Sequence, residues 1–278
     1  MRKKGLAKLV PTLAMPAVEK AHGFLLEAVE QLTGRDSMIP PESMNFVGKG
    51  DFEKIGREFK QYFIDLANIQ PSDRILDVGC GIGRMAVPLT DYLSPEGEYW
   101  GFDIVQMGIR WCQRRISPKF PNFHFLHSDI KNKQYNRKGK TPADQFRFPF
   151  DDGAFDFVFL TSVFTHMLPA DMEHYLSEIA RVLKQGGRCL ITFFLLNDES
   201  KKLLLAGRSS LDFKHEIQGC LAANAQNPEA AIAYEEDQVQ RLFANYKLKI
   251  APPIHYGSWC ERDRSLSYQD IIVAVKDQ

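Results

Sequence analysis

The chain has 278 residues, of which 44% are apolar and 25% charged, a globular balance that excludes a disordered chain. Its 35 lysines and arginines equal its 35 aspartates and glutamates, which excludes a dedicated nucleic-acid binder, because phosphate contacts need an excess of cations. The longest stretch without a charged residue, Phe157 to Ala170, has 14 residues. A bilayer span needs roughly 18, so no integral membrane association is expected.

Cys80, Cys112, Cys189, Cys220 and Cys260 form no C-x-x-C pair. Neither a disulfide framework nor a zinc cluster follows, and reduced cytoplasmic thiols are expected. Met1-Arg2-Lys3-Lys4 has the basic start of a secretory signal, but Lys8 and Pro11 interrupt the apolar run behind it, so a cytoplasmic protein is expected. Oligomeric state is not legible.

In chain order, Val18, Ala21, Phe24, Leu25, Ala28, Val29 and Leu32 have the spacing of an amphipathic helix, with Gly34 placed to stop it. Such a helix packs on the main domain or lies on a membrane surface, and its mixed outer charges favour the first. Residues 37–50 read as a linker, so residues 1–50 are assigned to a helical cap and linker and 51–278 to the main domain. A helix is expected over Phe52–Ala67. From Arg74 onward, short apolar runs alternate with helical segments. Strands are expected at Arg74–Val78, Glu98–Phe102, Asn122–His127, Phe155–Thr161 and Arg188–Leu195. Helices are expected at Arg84–Leu93, Val105–Ile116 and Ala170–Leu183. A closing pair is expected near Leu248–His255 and Tyr268–Val275. This alternation predicts an α/β fold with a doubly wound, mostly parallel sheet whose ligand binds outside the carboxyl ends of the strands.

Two segments fall outside the alternation. Lys131 to Arg147 carries six basic residues against Asp144 alone, hence +5 over 17 residues. It is either a solvated loop or a recognition element for an anionic group. Residues 197–233 interrupt the fold with apolar patches at 201–206 and 217–223, expected to be helical, and read as a lid or a fixed insertion.

The strongest motif is Asp77-Val78-Gly79-Cys80-Gly81-Ile82-Gly83-Arg84, a buried strand running into a glycine turn. The dinucleotide fingerprint needs a third glycine where Arg84 stands, and a phosphate loop needs Gly-Lys-Ser/Thr. Asp77 would repel a pyrophosphate and attract an amine. Asp103 lies 26 residues beyond Asp77.

These residues resemble the class I S-adenosylmethionine-dependent methyltransferases, small-molecule type. The likeness continues through Gly101-Phe102-Asp103-Ile104, Ser128-Asp129-Ile130, the strand ending at Thr161, and Arg181-Val182-Leu183-Lys184-Gln185-Gly186-Gly187. It implies a seven-stranded Rossmann-like sheet and S-adenosylmethionine as cofactor, with no metal dictated. Asp77 then holds the methionyl ammonium, and Gly79, Cys80, Gly81 and Gly83 shape the turn. Arg84 either meets the methionyl carboxylate or faces solvent. Asp103 binds the ribose hydroxyls beside Ile104. Asp129, with Ser128 before it, takes the adenine amino group, and the Ile130 N–H donates to the ring; Thr161 lines the site. Asp103 and Asp129 could alternatively serve as helix caps.

Signatures of nucleic-acid amino, cytosine C5 and arginine methyltransferases are missing after the fourth strand. The segment Ser162-Val163-Phe164-Thr165-His166-Met167 instead resembles loops of small-molecule enzymes. His166 is the candidate catalytic base or acceptor contact, or else a cap for the next helix. Tyr256 and Trp259 either stack on the acceptor or pack a hairpin. The basic stretch resembles methyltransferases of glycan and secondary-metabolite pathways, which tilts the acceptor toward a sugar-like hydroxyl. The rivals are an N-methyltransferase, a lipid or quinone methylase, and a non-catalytic cofactor-binding partner.

Overall fold

The computed structural model describes residues 38–48 and 50–277, so the expected helix Val18–Leu32 lies outside the described residues. Pro40–Gln278 form one compact unit. Its first long helix, α1 (Phe52–Asp65), starts at Asp51, whose carboxylate accepts the Lys54 N–H at 2.9 Å. The apolar runs then become strands: β1 (Arg74–Val78), β2 (Glu98–Asp103), β3 (Phe123–His127), β4 (Phe155–Leu160) and β5 (Leu183–Phe193). Between them stand α2 (Ala86–Leu89), α3 (Gln106–Arg115) and α4 (Pro169–Val182). The insertion contributes β6 (Leu195–Leu196), α5 (Asp198–Leu205), β7 (His215–Ile217), β8 (Cys220–Ala222) and β9 (Ile232–Glu235). Helix α6 (Glu236–Asn245) leads to β10 (Leu248–Ile250) and β11 (Asp270–Lys276).

The main sheet runs β10-β11-β5-β4-β1-β2-β3, with β11 antiparallel to both neighbours and the remaining pairs parallel. The chain winds outward from β1 to β3, then crosses back to β4. The β1/β4 boundary is therefore the switch point, where a crevice opens at the carboxyl ends. Central strands need apolar side chains on both faces, and Phe157, Val158, Phe159 and Leu160 of β4 are all fully buried. Phe63 of α1 covers one face, its ring 4.3 Å from that of Phe159. On the other face, Arg181 of α4 bonds Glu178 and Asp152, both at 2.7 Å, and the carbonyls of Phe148 and Phe150. That network fixes the loop entering β4.

Two expectations need correction. The helix expected over Arg84–Leu93 shrinks to α2, because Pro88 has no N–H to donate and the Thr90 hydroxyl bonds back to the Val87 carbonyl at 2.7 Å. The patch 217–223, expected to be helical, is instead part of the β7–β8 hairpin. Its two turn residues, Gln218 (φ 53°) and Gly219 (φ 82°), are both left-handed, the signature of a tight two-residue hairpin turn. With β6 and β9 these strands build a second sheet ordered β6-β9-β8-β7.

Candidate functional site

One cavity opens at the switch point, and the glycine turn forms its floor. Gly79 (φ 87°) and Gly81 (φ 58°) occupy the left-handed region. A side chain on Gly81 would run into Val47, and one on Gly79 into Val163 at 2.5 Å. The steric demand at Gly81 thus comes from the protein itself as well as from any ligand. Gly83 (φ 86°) faces away from the cavity, toward Cys112 and Ile116 of the neighbouring helix region, and its role is to let that helix approach. Cys80, Arg84, Ile104 and Thr161 line the cavity, and so do Phe46, Val47 and Gly48 from the segment that composition marks as a linker.

Asp77 and Asp103 stand at the ends of adjacent strands. Asp103 is 8% exposed, and its carboxylate accepts the Gly81 N–H at 2.8 Å and the Val105 N–H at 2.7 Å. Burial pushes its pKa up against the opposing pull of these N–H groups. Asp77 is 1% exposed, accepts the Tyr99 hydroxyl at 2.6 Å through one oxygen, and leaves Oδ1 without a partner. Burial pushes Asp77 up to about 8; the Tyr99 bond and Arg84 work against this, and Asp103 adds to it. Arg84 lines the same cavity, its Nε is buried without a partner, and burial lowers its pKa. An orphaned carboxylate oxygen beside an orphaned guanidinium nitrogen suits a zwitterion, with ammonium on Asp77 and carboxylate on Arg84. The amino-acid end of S-adenosylmethionine has that chemistry.

The nucleobase end differs from the expectation. The Asp129 carboxylate is directed to Asn136, 3.4 Å from its Nδ2, and does not line the cavity. The Ile130 N–H donates to the Ser128 carbonyl at 2.9 Å, so only its side chain is offered to a ligand. Ser128 lies behind the wall and donates its own N–H to the Asp103 carbonyl at 3.0 Å. The wall also presents Asp171 and Tyr175 of α4, which sequence reasoning missed. Their spacing of four on a helix beginning near the cavity was the available signal.

At the acceptor end, His166 lines the cavity, and its Nδ1 is 2.9 Å from the Glu229 carbonyl of the insertion. A carbonyl only accepts, so Nδ1 carries the proton and Nε2 keeps a lone pair. Burial lowers the His166 pKa, with the Glu229 and Ala230 backbone opposing, so the ring is neutral near pH 7. The Glu229 carboxylate accepts the Lys133 N–H, which ties the basic loop to the same point. Tyr256 and Trp259 correct the sequence reading, since neither lines the cavity. The Tyr256 hydroxyl donates to Glu236 at 3.0 Å. Trp259 is fully buried, its indole N–H donating to Asp270 at 2.8 Å and its ring packed on Phe194 and Phe213. They anchor the segment before β11 to the second sheet. Among the described residues no cluster of metal-ligating side chains occurs, and no helix is long and apolar enough to cross a membrane.

Residues 76–191 match the family described as methyltransferase domain. The phthiotriol/phenolphthiotriol dimycocerosates methyltransferase 1 of Mycobacterium ulcerans is 34% identical over 119 residues, covering 43% of this chain and 36% of the relative. The demethylmenaquinone methyltransferase of Symbiobacterium thermophilum is 27% identical over 181 residues, covering 65% and 62%. The chain therefore spans only part of the length of these curated relatives. The PH0226 protein of Pyrococcus horikoshii superposes with a TM-score of 0.58 at 17% identity, over 84% of this chain and 95% of that one, and shares the fold. Residues 76–191 are thus a methyltransferase domain, built on the parallel strands of the seven-stranded sheet.

Proposed function

We propose that the protein transfers a methyl group to a small-molecule acceptor, with Asp77, Arg84 and Asp103 holding the cofactor and His166 serving the acceptor. The observation that carries this reading is the pair of orphaned polar atoms on Asp77 and Arg84 beside one glycine-turn cavity. Bound S-adenosylmethionine supplies an electrophilic sulfonium methyl. The protein's task is to hold an acceptor in line with it. His166 favours a nucleophile that starts protonated, such as a hydroxyl. Its Nε2 takes the proton as the oxygen–carbon bond forms and the carbon–sulfur bond breaks, leaving S-adenosylhomocysteine.

The experiment is incubation with methyl-labelled cofactor and cell extract, followed by separation into aqueous and organic fractions. Label in a small molecule, matched by one S-adenosylhomocysteine per methyl, is the expected result. Tight cofactor binding with no label transferred would instead favour a non-catalytic partner protein. His166→Ala is expected to lower kcat by about 10²- to 10⁴-fold with cofactor affinity kept. Label in the organic fraction would favour a second reading, a lipid or quinone acceptor. That reading is supported by the names of the two relatives and by the apolar walls at Phe46, Val47, Val163 and Met167.

We also propose that residues 197–233 act as a lid; the domain start expected at residue 51 moves back to Pro40, where the compact unit begins. The contacts of Glu229 with His166 and Lys133 place one edge of this insertion beside the cavity. Closure over ligands should slow backbone hydrogen exchange in 228–235 when S-adenosylhomocysteine and acceptor saturate the protein. Exchange unchanged there assigns the insertion a fixed, thickening role.

A further inference from the structure

We infer that Gln269, in the segment before β11, and Thr192 of β5 are positioning residues that act through Ser162 to aim His166 at the acceptor. The inference rests on the reading of His166 above and deepens it.

Five non-glycine residues among the described residues have a left-handed backbone, and of these Ser162 (φ 59°) alone lines the cavity. Serine carries a Cβ that this region penalises, so the conformation persists only where its surroundings hold it. Two hydrogen bonds do so. The Ser162 N–H donates to the Thr192 hydroxyl at 2.8 Å, and the Ser162 hydroxyl donates to the Gln269 side-chain carbonyl at 2.9 Å. Thr192 is fully buried in β5, where it pairs with Ile271 of β11. Gln269 precedes Asp270, whose buried carboxylate accepts the N–H groups of Leu195 and Gly257, both at 2.7 Å, and the indole of Trp259. Both partners of Ser162 thus stand on well-tied backbone.

The left-handed residue decides where the chain goes next. Strand β4 pairs with β5 as far as Leu160, and Ser162 then turns the chain across the carboxyl end of the sheet. Val163 lies against Gly79 of the glycine turn, and the buried ring of Phe164 packs on Phe193 at 5.5 Å. A single 3₁₀ turn, Phe164–His166, follows, with the His166 N–H donating to the Val163 carbonyl at 2.9 Å. A Ser162 that relaxed to an ordinary right-handed or extended backbone would redirect every residue of this turn, and with it the ring that meets the Glu229 carbonyl. Misplacing a reacting group by about 1 Å costs on the order of a hundredfold in rate. Tying Ser162 from two neighbouring strands therefore protects the geometry of the transfer step.

The test combines label transfer from methyl-labelled cofactor in cell extract, calorimetry with S-adenosylhomocysteine, and the nitrogen resonances of the His166 ring, recognised by their loss in His166→Ala. Gln269→Leu and Ser162→Ala break the same hydrogen bond, so each should slow transfer about tenfold to a hundredfold, and the double variant should be no worse than either. Affinity for S-adenosylhomocysteine should change far less, because Asp77, Arg84 and Asp103 are untouched. In both variants the ring should give up its single Nδ1–H tautomer for the averaged resonances of a mobile imidazole. Gln269→Glu keeps an acceptor oxygen and should restore both readouts. Ser162→Gly takes the left-handed backbone freely, so it should transfer label faster than Ser162→Ala, and adding Gln269→Leu to it should cost nothing further. Equal impairment of Ser162→Ala and Ser162→Gly would overturn the inference. So would a Gln269→Leu protein that melts lower while its transfer rate and ring tautomer stay as in the wild type. Unimpaired transfer by His166→Ala would instead sink the reading of His166 as a base, a failure distinct from that of the brace, which the ring tautomer still reports.

Discussion

The Asp77→Asn variant should be more stable than the wild type at mildly alkaline pH without ligand, and should lose most of its affinity for S-adenosylhomocysteine. Burial pushes the Asp77 carboxyl up to about 8 in the folded protein, against 3.8 for the ordinary group. Folding therefore favours the protonated form. The stability that this group contributes is full below about pH 4 and is lost as pH rises through about 8. The amide of the variant resembles the protonated acid, so the variant should lack that part of the alkaline decline. Ligand binding has the opposite dependence. A methionyl ammonium needs the carboxylate, so below about pH 8 the free protein must release a proton as it binds. Affinity should thus climb with pH, by up to about tenfold per unit, until that value is passed. Removing one partner of a buried charge pair costs about 3–5 kcal/mol, or roughly a hundredfold to a few thousandfold in Kd. Calorimetry in two buffers of different ionisation enthalpy measures the proton release directly. A pH-independent Kd with no proton released would remove Asp77 from the ammonium site. A variant both more stable and unable to bind is what strain stored at a binding site produces.

The parts of this architecture that were legible in the sequence are those governed by local periodicity and by turn chemistry. The β1 to β5 alternation is visible because central strands must be apolar throughout, and the glycine turn because left-handed residues at 79 and 81 leave few choices. The errors come from side chains whose partners are remote in sequence. Nothing near Trp259 announces that Asp270 and the second sheet bury its ring. Asp129 follows its strand as the family pattern demands, yet a turn within the basic loop, where Asn132 caps the N–H groups of Gln134 and Tyr135, brings Asn136 to its carboxylate. The 217–223 patch is apolar enough for a helix, and the two left-handed turn residues override that pattern. Likewise the linker composition of 37–50 gave no sign that Val47 would press on Gly81. A site built where several loops converge depends on such non-local contacts, so its floor was readable and its walls were not.

The Asp103→Ala variant should lose cofactor affinity by a factor of about a hundred or more and also lose stability without ligand. Both consequences follow from the carboxylate having two duties. It accepts the N–H of Gly81 at 2.8 Å and that of Val105 at 2.7 Å, bracing the glycine turn against the start of α3. Alanine leaves these donors unpaired, at about 1–3 kcal/mol for each that water cannot reach. The same carboxylate retains lone pairs for two ribose hydroxyls, each charge-assisted bond contributing about 1.5–3 kcal/mol. A melting experiment sees only the first duty and a titration sees both, so a third measurement is needed to separate them. The 2′-deoxy analogue of S-adenosylhomocysteine provides it. In the wild type the missing hydroxyl should weaken binding, whereas in Asp103→Ala the two ligands should bind alike, because the group that told them apart is gone. If the variant still discriminates against the deoxy ligand, the ribose is held elsewhere in the cavity. Asp103 is then a brace for the turn alone.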